Sequence, residues 1–263
     1  MEAMVPVKRR VTSSFVPNLL TIANLFSGFA SIIYSSNGDF DRAALFILIG
    51  AFFDMMDGAM ARLINAASEF GGELDSLCDV VTFGVAPSYM LYQMHFVNLN
   101  EIGILIASLP AMMGALRLAR FNVQLSKFDD KKYFKGFPIP SSALTIISYL
   151  IFFHNDPSIA KETKDIIIIA VPSLTSIAMI SNIRYYNLPK PSPRNIKKYP
   201  LFFVLLALSI VSIIYTSGKT FFPLMALYLI LSALIHIYKW AKLGVVEGYL
   251  QEFREEDYDD DEI

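Results

Sequence analysis

The chain has 263 residues, 54% of them hydrophobic, and its mean hydropathy is +0.48. This composition is too apolar for a soluble domain of such a length, so we predict a polytopic membrane protein that lies in the lipid bilayer. The net charge of −2 is uninformative by itself, and we expect no nucleic-acid partner. A single cysteine, Cys78, excludes an intrachain disulfide and a cysteine-based metal cluster.

Apolar runs of about 20 residues, the length that crosses a bilayer, predict eight membrane helices. They lie at residues 15–36, 43–65, 72–94, 101–122, 139–154, 165–182, 201–216 and 220–240. The runs at 139–154 and 201–216 are short, so seven helices remain an alternative. The first run lacks a small-residue cleavage site after it, and we expect it to persist as a helix rather than to be removed as a signal.

Basic residues are distributed unequally between the two sides of these eight spans. All but four of the 22 lysines and arginines fall on one side, the exceptions being Arg42, Lys161, Lys164 and Lys219. Because basic residues collect in cytoplasmic loops, both termini are predicted to face the cytoplasm, with the protein in the inner membrane of the cell.

Composition shifts divide the chain into five parts. Residues 1–14 form a cytoplasmic or interfacial segment, and residues 15–182 a membrane domain of six helices. A basic, proline-rich cytoplasmic linker follows at 183–200, then two additional membrane helices at 201–240 and an acidic cytoplasmic tail at 241–263.

Four aspartates lie beside the apolar runs of spans two and three. Asp54 and Asp57 are three residues apart and Asp75 and Asp79 four apart, so each pair shares one helix face. A short connection around residues 66–70 makes the two spans antiparallel neighbours, which brings the pairs together at the predicted cytoplasmic side. A charge at the centre of a membrane helix costs at least about 2.5–3.5 kcal/mol, so the cluster implies a polar cavity, a bound cation, or both.

The chemistry of carboxylate oxygens suits Mg²⁺ or Mn²⁺, and two such ions could share the site. A pair of ions can clamp a diphosphate and stabilise a leaving phosphate, so phosphoryl transfer is the expected reaction class. Gly58 and Ala61 leave room for a substrate beside span two, and Arg62 offers a fork for phosphate oxygens. Structural alternatives are close helix packing for Gly58 and Ala61 and an orienting charge for Arg62.

Eight positions of this region together form a recognisable pattern. The pattern Asp54-x-x-Asp57-Gly58-x-x-Ala61-Arg62, followed after eight residues by Gly71-x-x-x-Asp75-x-x-x-Asp79, resembles the complete motif of the CDP-alcohol phosphotransferases. These are integral membrane enzymes of phospholipid synthesis. The resemblance implies an all-α fold with a six-helix core, here followed by two further helices. It also implies two divalent ions, attack of an alcohol on a CDP-linked lipid, and release of CMP.

The resemblance also assigns roles to individual residues. Asp54, Asp57, Asp75 and Asp79 would be the metal ligands, and Asp79 would also be the general base. Gly58, Ala61, Arg62 and Gly71 would contribute to the CDP-lipid site. The family is commonly dimeric, so a homodimer is expected.

Asn18 and Thr21 share one face at the start of span one. They could donate hydrogen bonds to cytidine or phosphate, and we group them with the CDP-lipid site. Capping of the helix start is the alternative.

The acceptor alcohol depends on residues outside the motif. Segments 74–87, 115–123 and 136–143 are similar to phosphatidylserine synthases of this family, and with the opening at 17–21 the similarity spans about residues 15–145. The third segment departs at Phe137, where leucine is usual, and has serines where alanines are usual. The resemblance implies CDP-diacylglycerol and L-serine as substrates. Arg117 and Arg120, which share a helix face, could bind the serine carboxylate, or they could be anchors that reach toward head groups.

Several alternatives remain at this point. Glycerol phosphate, inositol phosphate or choline could be the acceptor, and an archaeal ether lipid could be the donor. A prenyltransferase also uses acids to hold metal and diphosphate, although with a different spacing. A cation transporter is the alternative outside the enzymes.

Overall fold

The structure is a computed structural model, and it describes residues 15–64, 68–125, 134–185 and 200–236. These ranges are almost wholly helical. The α-helices are α1 (Phe15–Ser36), α2 (Phe40–Leu63), α3 (Glu69–Asp79), α4 (Ala86–Met94), α5 (Asn100–Leu125), α6 (Ile139–Tyr149), α7 (Lys161–Ile180), α8 (Pro200–Tyr215) and α9 (Phe221–His236). Two π-helical segments, Val80–Val85 and Leu150–His154, follow α3 and α6, and a 3₁₀ turn, Phe96–Leu99, precedes α5.

Among the described residues, four helical stretches are long and apolar enough to cross a membrane: Phe15–Ser36, Phe40–Leu63, Phe96–Val123 and Lys161–Ile180. Shorter apolar helices occupy Ile139–His154, Phe203–Tyr215 and Phe221–His236. Large apolar side chains such as Leu48, Phe52, Leu116 and Leu208 are exposed on the outside of the molecule, where lipid would surround them. The prediction of a multi-pass, helical membrane protein is therefore confirmed.

The span predicted at 72–94 is a helix with a π turn inside it. Backbone angles stay helical through Val80 and Val85, so α3, the π turn and α4 form one path. Pro87 has no N–H to donate and its ring crowds the carbonyl four residues back. The wider turn relieves this crowding, and the N–H of Ala86 bonds instead to the carbonyl of Val81. The sequence analysis did not predict this turn, which begins directly after Asp79.

Helix α1 has its polar face toward the interior of the protein. Its buried residues are small or polar and recur every three or four positions: Pro17, Thr21, Asn24, Ser27, Gly28, Ser31 and Ser35. Large apolar residues such as Ile22, Phe26 and Phe29 are exposed on the other face. This arrangement lets α1 pack closely along α2 and also contact α3, the π turn and α4.

A two-residue antiparallel strand pair joins the chain before α6 to the chain after α7. Strand β1 (Phe134–Lys135) pairs with β2 (Arg184–Tyr185), in register Phe134 to Tyr185 and Lys135 to Arg184. The N–H of Gly136 then donates to the carbonyl of Ile183 at 3.0 Å. This pair is an addition to the expected all-α fold, and it places the 136–143 segment against the end of α7.

The last two helices lie at the edge of the molecule. Phe222 of α9 packs on Tyr149 and Phe153, with ring centroids 5.2 and 5.3 Å apart. The predicted N-terminal segment 1–14 and the acidic tail 241–263 lie outside the described residues. Of the linker 183–200, residues 183–185 and 200 are described. The division into five parts remains a prediction.

Candidate active site

The aspartates of α2 and α3 meet at the end of the molecule where α2 finishes and α3 begins. Asp54, Asp57 and Asp75 each place a carboxylate oxygen within 4.8 Å of the others. Asp57 is buried, and Asp54 and Asp75 are half-buried. The predicted convergence of the two helices is thus present for these three acids.

These three carboxylates fit a divalent cation. Ligand oxygens of an octahedral Mg²⁺ lie about 3–4.2 Å apart, a range that falls within the 4.8 Å limit on the separations of the three acids. The Oδ1 atom of Asp75 is buried and has no hydrogen-bond partner among the described residues. A buried carboxylate oxygen without a donor is satisfied by a bound cation, so the donor set suits Mg²⁺ or Mn²⁺.

Among the described residues, no salt bridge joins a basic side chain to these carboxylates. Within the same ranges the ion pair that forms is Arg42 with Asp39, at 3.3 Å, at the start of α2. Like charges a few ångströms apart repel strongly where water is excluded. A divalent ion would offset this repulsion.

Asp79 stands apart from the other three acids. It lies one helical turn beyond Asp75, is 7% exposed, and is not a member of the 4.8 Å group. Its Oδ1 accepts a hydrogen bond from Nδ2 of Asn24 at 3.2 Å. It is close enough to Asp54 and Asp75 for their charges to act on it. The four predicted ligands therefore form a group of three and a separate, deeper carboxylate.

Thr21 contacts the acid cluster directly. Its hydroxyl donates to Oδ2 of Asp57 at 2.7 Å and lies 3.1 Å from the carbonyl of Pro17. Thr21 is the seventh residue of α1, beyond the first turn, whose free N–H groups a cap satisfies, so capping of the helix start does not explain its position.

Asn18 of α1 lies beside Gly71 at the start of α3. A side chain at Gly71 would come into contact with Oδ1 of Asn18 and with the hydroxyl of Ser68. That hydroxyl caps α3 by accepting the N–H of Gly71 at 3.0 Å. Two residues that the sequence analysis assigned to the CDP-lipid site are thus neighbours.

The remaining motif positions of α2 border open space. No atom of the described chain comes within 4 Å of a Cβ built on Gly58. Ala61 is half-buried, and Arg62 is exposed in the last turn of the helix. The missing side chain at Gly58 therefore leaves open space on α2 directly after Asp57.

Arg117 and Arg120 of α5 differ in their surroundings. Arg117 is 8% exposed, and its buried Nε has no hydrogen-bond partner in the part of the chain that is described. It therefore does not extend outward as a lipid anchor would. Asp79 and Arg120 are close enough for their charges to act on it.

Arg120 is partly committed to the fold. Its Nη1 donates to the carbonyl of Ile180 at 3.0 Å, at the end of α7, and its buried Nη2 is unpartnered within the described ranges. Gly136 packs beside it with φ of +86°, and a side chain there would collide with the carbonyl oxygen of Met179. Only glycine fits this position of the 136–143 segment.

Four polar residues near the site were not singled out from the sequence. The first is Asn24, which lies three residues after Thr21 and on the same helix face. This spacing could have identified it from the sequence. The other three join α3 to α5: Nδ2 of Asn122 lies 3.1 Å from the hydroxyl of Ser76 and 3.2 Å from Oε2 of Glu73. We call this contact the Asn122 clasp. No spacing along the chain indicates it, because its partners come from helices that are distant in sequence.

Comparison with known proteins agrees with this geometry. The profile of the family described as CDP-alcohol phosphatidyltransferase matches residues 14–181. The chain is 35% identical to a CDP-diacylglycerol–serine O-phosphatidyltransferase of Helicobacter pylori, over 86% of this chain and 93% of the relative. It is also 35% identical to the Bacillus subtilis protein of the same name, over 70% of this chain and 97% of the relative.

An archaeal relative is similar to a comparable degree. The chain is 39% identical to an archaetidylserine synthase of Methanothermobacter thermautotrophicus, over 67% of this chain and 72% of the relative. The family profile covers well over half of the chain, and the motif that suggested the resemblance lies inside the matched residues. The chain is a membrane transferase that belongs to the CDP-alcohol phosphatidyltransferase family.

Proposed function

We propose that this chain is a phosphatidylserine synthase, which transfers the phosphatidyl group of CDP-diacylglycerol to the hydroxyl of L-serine and releases CMP. The observation that carries the proposal is the carboxylate cluster of Asp54, Asp57 and Asp75 beside the buried Asp79, together with the buried Arg117, whose Nε has no hydrogen-bond partner among the described residues. The names of the Helicobacter and Bacillus relatives support serine as the acceptor.

The carboxylates would bind the divalent cations on which this family depends. We assign Asp54, Asp57 and Asp75 as ligands, with Asp79 as a fourth, for two Mg²⁺ or Mn²⁺ ions. Bound there, the ions would supply positive charge to the diphosphate of the donor. Asn18, Gly58, Ala61, Arg62 and Gly71 would contact the CDP portion, and the open space at Gly58 supports this assignment.

The acceptor would bind between α3 and α5. Nε of Arg117 and Nη2 of Arg120 are the donors available for its carboxylate, because the other described contact of Arg120 is with Ile180. The carboxylate of Asp79 has one oxygen bound to Asn24 and the other available for the proton of the serine hydroxyl.

The reaction is an in-line displacement at the lipid-bearing phosphorus. As Asp79 takes the proton, the serine oxygen bonds to that phosphorus, and the bond from the phosphorus to the bridging oxygen of the diphosphate breaks. The bridging oxygen leaves with CMP, and phosphatidylserine is the other product. The buried side chains around Asp79 keep bulk water away from the phosphorus, which disfavours hydrolysis.

A second candidate differs only in the donor lipid. The likeness to an archaetidylserine synthase favours an ether-linked donor as an alternative. The reacting phosphate and the acceptor are the same for both donors, so the two candidates share every residue assigned above.

We propose the same organisation for the catalytic unit as the sequence predicts. Residues 15–182 would form a six-helix catalytic domain, and α8 and α9 would belong to an added pair of spans. The close agreement of this range with the matched residues 14–181 supports it. The acid cluster and both termini would face the cytoplasm in the inner membrane, and the protein would be a homodimer.

An acceptor assay with the purified, reconstituted protein tests the proposal. We expect labelled serine to enter lipid in a one-to-one ratio with released CMP, and chelation of divalent cations to stop both. Glycerol phosphate, inositol phosphate and choline serve as competing acceptors, and ester and ether donors are compared in parallel. CMP release with another acceptor but not with serine would contradict the assignment, and so would ion flux without CMP release.

A further inference from the structure

Helix α1 donates hydrogen bonds to an acid on each of the two helices beside it. Thr21 binds Asp57 of α2, and Asn24 binds Asp79 of α3. We propose that Thr21 and Asn24 are positioning residues that fix the orientation of these two carboxylates, so that Asp57 presents an oxygen to the metal and Asp79 presents one to the acceptor hydroxyl. This inference rests on the proposed function and replaces the CDP-lipid contact predicted for Thr21.

The contact of Thr21 restricts the Asp57 side chain. The hydroxyl of Thr21 carries one hydrogen, and the 2.7 Å distance to Oδ2 of Asp57 is shorter than the 3.1 Å distance to the carbonyl of Pro17. The hydrogen bond to Asp57 has a charged acceptor, so it is stronger than a hydrogen bond to a neutral carbonyl. Because threonine is branched at Cβ, its hydroxyl direction in a helix is restricted. One oxygen of Asp57 is therefore fixed, and the other is directed by it.

Hydrogen bonds of this kind tune metal ligands in general. A carboxylate that binds a metal is itself hydrogen-bonded, and removal of the bonding partner typically lowers metal affinity or activity by about 10–100-fold. Thr21 is 3% exposed, so water does not compete freely for the bond.

Asn24 is held at both its backbone and its side chain. It is fully buried, and its carbonyl oxygen accepts the hydroxyl of Thr82 at 2.9 Å, within the π turn that follows Asp79. A side chain at Gly50 of α2 would collide with Thr82 and approach Oδ1 of Asn24, so the asparagine side chain has little space in which to turn. Its Nδ2 consequently points at Oδ1 of Asp79.

The spacing of Thr21 and Asn24 along α1 determines how far apart it holds the two acids that they bind. Thr21 and Asn24 are three residues apart, about 4.5 Å along the axis of α1 and on one face. Their acceptors belong to α2 and α3. A rigid helix that holds one acid from each neighbour fixes the separation between the ligand group and the proton acceptor.

A buried threonine without this role is present on α7. The hydroxyl of Thr175 is bonded to the carbonyls of Val171 and Pro172 in its own helix, at 2.9 and 3.2 Å. Its exposure, 1%, resembles that of Thr21, and both hydroxyls approach the carbonyl four residues back. The contact with Asp57 is what distinguishes Thr21, so Thr175→Val is a matched control.

The decisive experiment measures Mn²⁺ binding by electron paramagnetic resonance on the purified protein, together with kcat and KM. Thr21→Val keeps the shape and removes the donor, and Thr21→Ser keeps the donor. We expect Thr21→Val to weaken Mn²⁺ binding about 10–100-fold. Thr21→Ser and Thr175→Val should stay near wild type.

The companion variant addresses the second donor. Asn24→Leu should lower kcat by about tenfold or more with KM for the CDP-lipid unchanged, since an unoriented base loses transition-state interactions. Because Asp79 is the fourth ligand and lies outside the group of three, Mn²⁺ binding should weaken less than in Thr21→Val. If Asn24→Leu does not fold, Asn24→Ser, which keeps a donor at a greater distance, should show the same pattern in weaker form.

Two results would overturn the inference. Wild-type Mn²⁺ affinity in Thr21→Val with a raised KM for the CDP-lipid would make Thr21 a substrate contact. A uniform loss of folded protein across Thr21→Val, Thr21→Ser and Thr175→Val would make it a packing residue only. Because Mn²⁺ binding is measured without an acceptor, failure of serine as substrate in the wild-type protein would be seen separately.

Discussion

The α1–α3 end of the molecule and the α8–α9 hairpin (residues 200–236) both contain hydroxyl groups within apolar helices, yet they use them differently. In the hairpin, the hydroxyls of Thr216 and Thr220 contact each other, and each lies within hydrogen-bond distance of the carbonyl of Ser212. At the acid end, Thr21 and Asn24 bond to side chains of other helices. Polar groups that bond within their own hairpin satisfy local needs, whereas those that cross between helices determine the geometry of a site.

The largest effect is expected at Asp79. Asp79→Asn keeps the size of the side chain and an acceptor for Asn24 but cannot take a proton, so kcat should fall about 10²–10⁴-fold while binding of the CDP-lipid remains detectable. Turnover is followed as CMP release, and binding by equilibrium dialysis with labelled CDP-lipid. Turnover like that of the wild type would remove Asp79 as the base and would break the contrast between the two regions.

Arg117 should rank second. Arg117→Ala removes a buried donor for the serine carboxylate, and a hydrogen bond between charged groups contributes about 1.5–3 kcal/mol, which corresponds to a rise of about 10–150-fold in KM for serine. KM for the CDP-lipid should change little. Arg117→Lys, which keeps the charge but not the fork, should recover only part of the loss. Equal changes in both KM values would mean that Arg117 supports the site as a whole.

The Asn122 clasp should show a smaller effect. Asn122→Ala removes neutral and charged hydrogen bonds that join α3 to α5, each contributing about 0.5–1.5 kcal/mol or somewhat more, so kcat/KM for serine should drop about 3–30-fold. A double-mutant cycle with Ser76→Ala should be non-additive, since both variants break the same contact. Ser108→Ala on α5 is the control, because the partner of its hydroxyl among the described residues is the carbonyl of Leu105 in its own helix. Additive losses would show that the clasp does not couple the two helices.

The smallest effect is expected in the hairpin. Thr216→Val breaks contacts confined to α8, α9 and their turn, and should leave kcat and both KM values within about twofold of wild type, as for most substitutions away from a site. We expect Thr216→Val to lower thermal stability instead, which is measured by fluorescence-detected gel filtration after heating. A loss of activity comparable to that of Asn122→Ala would mean that the hairpin takes part in the site.

The sequence was sufficient to predict the parts of the structure that depend on composition and helical spacing. The spans follow from apolar runs, and Asp54 and Asp57 share a face because they are three residues apart. Convergence with Asp75 follows from the short connection between the spans. The open space at Gly58 also agrees with the absence of a side chain.

Other features depend on packing that spacing does not encode. A regular period of 3.6 residues cannot predict the π turn at Val80–Val85, although Pro87 is its cause. Asn24 bonds to Asp79, 55 positions away in the sequence, and the Asn122 clasp joins residues 46 positions apart. Such lateral contacts are determined by how helices rotate against one another.

The reversed polarity of α1 has a practical consequence for chimeras and fusion proteins. By mean hydropathy, α1 is an ordinary membrane anchor. Its large apolar residues are the ones that face the bilayer. A replacement segment of equal hydropathy would still insert and hold the protein in the membrane. It would lack the hydroxyl of Thr21 and the amide of Asn24 on its inward face. The hybrid would therefore insert correctly into the membrane but would be catalytically inactive.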